Sequence, residues 1–102
     1  MVMQTKEEIK KEILAYINKW GGVFSNWYAG IAKDPRDRLF KDHNVEYEGA
    51  WIFRGCVSSR IARELEVELI ELGCDGGSGG GDKETVFIYA YLISDKTKER
   101  DE

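Results

Sequence analysis

Residues 85–93, Thr-Val-Phe-Ile-Tyr-Ala-Tyr-Leu-Ile, carry the strongest strand signal in the chain. β-Branched and aromatic side chains fill the segment, and these suit a pleated, buried surface. A strand that is apolar on both alternating faces needs cover on both, so it is expected at the centre of a sheet. The remaining elements must then supply a layer on each side. A chain of 102 residues has room for one such core and not for two.

The other elements follow from local signals. Thr5-Lys6-Glu7-Glu8 reads as a capping box. Ile9, Ile13, Ile17 and Trp20 follow it at helical spacing, with Leu14 and Tyr16 beside them, and Gly21-Gly22 ends the helix. Residues 26–32 are short, aromatic and apolar, as a strand would be. Asp34-Pro35 gives a cap and a first-turn proline, which predicts a helix from Pro35 to His43. Residues 50–54 form a second strand. Ser58 or Ser59 caps a third helix with an apolar stripe of Ile61, Leu65, Leu69 and Leu72, closed by Gly73. Residues 75–82 are a glycine-rich loop with no helix or strand tendency. The expected fold is α+β: a small sheet of about three strands packed by three helices, in the order α-β-α-β-α-β. Residues 1–93 form the domain, and 94–102 a polar, frayed tail.

Charge and cysteine content narrow the function. The formal charge is −4, which disfavours a protein that coats nucleic acid by bulk attraction. The charge is uneven: residues 64–102 carry net −7, and residues 33–63, with Arg36, Arg38, Arg54, Arg60 and Arg63, carry net +2. An Arg-rich middle in an acidic chain points weakly to an anionic ligand. No apolar run approaches the ~20 residues that span a membrane, so no membrane partner is expected. The charged N-terminus does not read as a secretory leader. Cys56 and Cys74 lie far apart and form no Cys-x-x-Cys pair, which suits two reduced thiols in a cytoplasmic protein.

Tyr28-Ala29-Gly30-Ile31, followed by Asp34-Pro35, Arg38-Leu39 and His43-Asn44, resembles the second motif and following helix of the GIY-YIG nuclease superfamily. Arg38 stands eight residues after Gly30, the family spacing, and His43 one residue later than is usual. Ala62-x-x-Leu65-Glu66-x-x-Leu69-Ile70 is similar to the family's metal-binding helix. The resemblance covers residues 26–72. It implies a single GIY-YIG-like domain acting on nucleic acid with Mg²⁺. Glu66 would supply the metal's oxygen ligand, and Arg38 would hold the scissile phosphate. Tyr28 would orient or activate water, with His43 as a proton-transfer partner. The family's first motif, a Gly-Ile-Tyr strand upstream, is missing, because an N-terminal helix occupies its place. The C-terminal strand, with Tyr89 and Tyr91, is the candidate to lie beside Tyr28-Ala29-Gly30 instead.

Each residue also has a plainer role open to it. Trp27 and Tyr28 alternate on a strand, so one of them belongs to the core. Arg38 is spaced to pair with Asp34 or Asp42. His43 ends a helix, where a cation is favoured. Glu66 either points inward or is a solvated member of an acidic helix. The glycine loop is either a flexible connector or a cradle of amides for a phosphate. Against the nuclease stands a non-catalytic module, in which Trp27, Arg36, Gly77 and Gly80 bind a nucleotide or another phosphorylated small molecule. Such a module can act as a homo-oligomer. A small protein-interaction or inhibitor protein is the third class.

Overall fold

The computed structural model describes residues 4–77 and 81–99. Helix α1 spans Lys6–Lys19. The Thr5 hydroxyl accepts from the Glu8 amide at 3.1 Å, and the Glu8 carboxylate accepts from the Thr5 amide at 2.8 Å, so the capping box is complete. Gly21 and Gly22 leave the helix at φ of 112° and 75°, a region that favours glycine. Strand β1 is Trp27–Ala32, β2 is Trp51–Gly55 and α2 is Ser59–Glu71. Ser58 caps α2 through the Ile61 amide at 3.2 Å. Strand β3 is Asp75–Gly76 and β4 is Phe87–Leu92.

The sheet has four strands in the order β2-β4-β1-β3. Strand β4 pairs antiparallel with both β1 and β2, so the apolar C-terminal strand is central. Its register sets Tyr91 opposite Tyr28, Ala90 opposite Ala29, and Tyr89 opposite Gly30. The fourth strand is the departure from a three-stranded sheet. Asp75–Gly76 runs parallel to β1 against Tyr28 and Ala29 only. Two residues carry no hydrophobic period, so the glycine-rich sequence conceals this strand.

Both sheet faces are covered. On one, Ile9, Ile13 and Ile17 of α1 and Leu65 and Leu69 of α2 bury Trp27, Ala29, Ile88 and Ala90. On the other, Leu39 and Val45 pack with Tyr28, Tyr89 and Tyr91. Leu72, expected in the apolar stripe of α2, is 43% exposed because the helix ends before it. Truncating a fully buried residue such as Leu65 to Ala is in the class that costs about 2–5 kcal/mol.

The segment after β1 is helical, but its turns are wide. Asp34 caps it by accepting from the Asp37 amide at 3.2 Å. From Asp37–Asp42 the winding is π-helical, with the His43 amide donating to the Arg38 carbonyl at 2.8 Å. After β4, the described residues 94–99 of the expected tail make specific contacts with the domain, and residues 100–102 lie outside the described residues. The Lys98 amide donates to the His43 carbonyl at 2.7 Å, and Asn44 Nδ2 donates to the Lys96 carbonyl at 2.9 Å. Residues 94–99 therefore lie tied to residues 43–46. No helix among the described residues is long and apolar enough to cross a membrane.

Candidate active site

Strand β3 ends at Gly76, so the outer edge of β1 from Gly30 onward has no strand partner among the described residues. A cavity of about 420 Å³ opens there. Four elements bring one titratable side chain each to its wall: Tyr28 from β1, Arg38 from the π-helical segment, Glu66 from α2 and Tyr89 from β4. Gly77 and Gly81 close one side, with Asp34, Asp37 and Lys33 at the rim.

Glu66 is the unusual member. Its neighbours Leu65 and Leu69 are fully buried, and this helix phase carries Glu66 inward too, to 4% exposure. Among the described residues, no hydrogen bond or ion pair holds its carboxylate. Burial pushes its pKa up, and only the field of Arg63 opposes the shift. The carboxylate borders the cavity, so water or a cation there can meet the oxygens that burial has partly dehydrated. Glu64 and Glu68, two residues to either side, face the opposite way and pair with Lys6 and Lys10 of α1.

Tyr89 and His43 form a second unit. Tyr89 is 1% exposed, and its hydroxyl lies 2.8 Å from His43 Nε2. His43 Nδ1 lies 2.6 Å from the Lys98 carbonyl, which can only accept. Nδ1 therefore carries the proton, and Nε2 accepts from Tyr89. Burial holds the imidazole below its ordinary 6.5, so it is neutral near pH 7. Burial, with the neighbouring Tyr28, pushes the Tyr89 phenol well above its ordinary range, and Arg38 pulls it partly back. The Tyr91 hydroxyl donates to Glu99 at 2.9 Å and flanks His43 from the other side.

The neutral histidine has a pH consequence. In the unfolded chain His43 titrates near 6.5. The folded state takes up that proton only at lower pH, so this contribution to stability is complete above about 6.5 and is lost as pH falls. Urea unfolding from about pH 7 to about pH 5.5 should show declining stability, and the decline should be shallower in His43→Gln.

The remaining sequence candidates separate. Arg38 reaches the cavity, and its guanidinium also pairs with Asp42 at 3.2 Å, the helical neighbour expected for it. His43 stands behind Tyr89 rather than at the wall. Gly77 is at the wall: a Cβ there would sit 3.3 Å from the Tyr28 hydroxyl. Arg36 faces solvent over the Phe53 ring instead. Trp27 is not brought to the site. It is fully buried on the opposite sheet face against Tyr16, with its indole Nε1 unpartnered. Gly80 lies outside the described residues. Gly30, which the motif spacing alone does not mark as a contact residue, makes the closest approach in the site. A Cβ on it would fall 2.5 Å from the Tyr89 hydroxyl oxygen. The alternation of the aromatics in 85–93 is the signal that puts Tyr89 and Tyr91 on one face. Cys56 and Cys74 are buried and unbridged, and burial pushes the Cys74 thiol up to about 11, so neither is an activated nucleophile.

The chain matches no family model, no curated protein and no solved structure.

Proposed function

We propose that this chain is a divalent-cation-dependent phosphodiesterase acting on nucleic acid, with a GIY-YIG-like site whose missing first strand is replaced by β4. The observation that carries the reading is the convergence of Tyr28, Arg38, Glu66 and Tyr89, from four separate elements, on one cavity. Arg38 offers a planar guanidinium to a phosphate. Glu66 supplies a carboxylate at the cavity wall, and one protein carboxylate plus water suits Mg²⁺. The bound ion would act as a Lewis acid on a non-bridging phosphate oxygen.

The proton follows the Tyr89–His43 contact. Water can pass a proton to the Tyr89 oxygen as Tyr89 passes its own to His43 Nε2. The imidazolium so formed keeps its Nδ1 proton on the Lys98 carbonyl. Tyr89 stays neutral throughout, in keeping with the raised pKa that disfavours a phenolate. Tyr28 lines the same wall and orients the attacking water.

One observation favours a second reading. No group of three or more His, Cys, Asp and Glu is placed to hold a metal among the described residues. A non-catalytic module that binds a nucleotide's phosphate through Arg38 and the loop amides would need none. The two are separated by incubating labelled single- and double-stranded DNA and RNA with the protein, in Mg²⁺ and in chelator. The nuclease reading predicts cleavage only with Mg²⁺, reduced about 100-fold or more in Arg38→Ala. No cleavage of any substrate would overturn it. The module would then show thermal stabilisation by nucleotides, about 2.7 kcal/mol at 100 times Kd.

A further inference from the structure

Resting on the phosphodiesterase reading of the cavity, we propose that an aromatic ledge along β2 binds the unpaired bases of the nucleic-acid strand whose phosphate Arg38 holds. Trp51 and Phe53 are two residues apart on β2, so they project from one face, opposite Tyr91 and Tyr89 respectively. Their rings are nearly parallel, 9° apart, with centroids at 5.9 Å. Phe40 packs edge-on against Trp51 at 5.1 Å, and Tyr47 extends the row at 6.0 Å. Tyr47 is 68% exposed. The Trp51 indole N–H donates to the Tyr47 carbonyl at 2.9 Å, which fixes the ring before any ligand arrives. A row already ordered loses little entropy on binding.

Three features select an unpaired strand as the occupant. The first is continuity. Phe53 is the direct cross-strand neighbour of Tyr89, so the ledge begins one strand away from the cavity wall. The second is charge. Arg36 lies 5.7 Å from the Phe53 ring centroid, two residues from Arg38 in the same helical segment. Among the described residues Arg36 has no carboxylate partner. It is thus available to a second phosphate while its guanidinium covers an aromatic face. The third is the net charge of −4, which denies the chain the broad counterion release that drives duplex binding. Base stacking on aromatic faces, with one or two phosphates paired, is the mode that an acidic protein can use. It requires bases free of a complementary strand.

The test measures anisotropy of labelled oligodeoxythymidylate with the full chain in chelator, beside an abasic strand of the same length and a duplex. The base-bearing strand should bind about 10-fold or more tightly than the abasic strand and the duplex. Tyr47→Ala and Phe53→Leu should weaken it roughly 5- to 100-fold and leave abasic binding unchanged. Tyr47 is exposed, so its variant carries the test if Phe53→Leu fails to fold. Hydrolysis of bis(4-nitrophenyl) phosphate in Mg²⁺ reads the cavity alone and should persist in both variants. Hydrolysis with equal binding of base-bearing and abasic strands would overturn the ledge and leave the cavity reading standing. A base preference lost in Tyr47→Ala, without hydrolysis by the wild type, would support the ledge and remove the nuclease.

Discussion

Replacing Glu66 with Gln should raise the stability of the metal-free protein at neutral pH by about 1 kcal/mol, a melting temperature about 4–8 °C higher, while removing Mg²⁺-dependent cleavage. The stability gain follows from burial. At 4% exposure Glu66 has lost most of its surrounding water, and this partial dehydration raises the carboxyl pKa against the field of Arg63. Because burial raises the folded-state pKa, stability from this group is present below its ordinary 4.5 and is lost as pH rises through the raised value. The advantage of Gln should therefore grow with pH and shrink toward pH 4.5. A residue kept for packing alone would not combine higher stability with lost chemistry. Thermal or urea unfolding of both proteins across pH, beside the cleavage assay, checks the pair of effects. A variant less stable than wild type would mean that the carboxylate is satisfied in the fold.

Gly30→Ala should have the opposite signature, losing stability and activity together. The added methyl would fall 2.5 Å from the Tyr89 hydroxyl oxygen and 2.6 Å from the ring carbon that bears it, inside any tolerated contact. Tyr89 cannot step aside freely, because His43 holds its hydroxyl and both residues are buried. Either the ring or β1 must move, at about 1–3 kcal/mol by analogy with other over-packed cores. Displacing the hydroxyl would break the Tyr89–His43 contact that the proposed proton path uses, so cleavage should fall about 100-fold or more. Adding Tyr89→Leu to Gly30→Ala should restore part of the stability and none of the activity. Wild-type melting and activity in Gly30→Ala would show that Tyr89 needs no such closeness.

Much of the fold was legible because local signals and burial agreed. The two-faced apolarity of residues 85–93 placed the last strand at the centre, the capping box at Thr5 marked one helix start, and a serine cap at Ser58 or Ser59 marked another. What stayed hidden depends on contacts distant in sequence. The Asp75–Gly76 strand exists only through its pairing with β1. The order in residues 94–99 comes from the backbone and side chains of residues 43–46, about fifty positions away. In the site, Arg38 and Glu66 were visible through a resemblance, and the stripe of Leu65 and Leu69 set the phase of α2, but it left Glu66 at the border between the buried face and solvent. Trp27 and Tyr28 show the limit most plainly. With both sheet faces covered, an aromatic pair does not announce which member faces the core and which the cavity. Register against β4 decides it.

Unfolding of wild type and Glu66→Gln during a Mg²⁺ titration tests most directly whether Glu66 is a cation ligand, as the proposed phosphodiesterase site requires. Wild type should gain stability with the ion, approaching about 2.7 kcal/mol at 100 times its Kd, and Glu66→Gln should gain none. Equal gains in the two proteins, or no gain in wild type, would contradict that role.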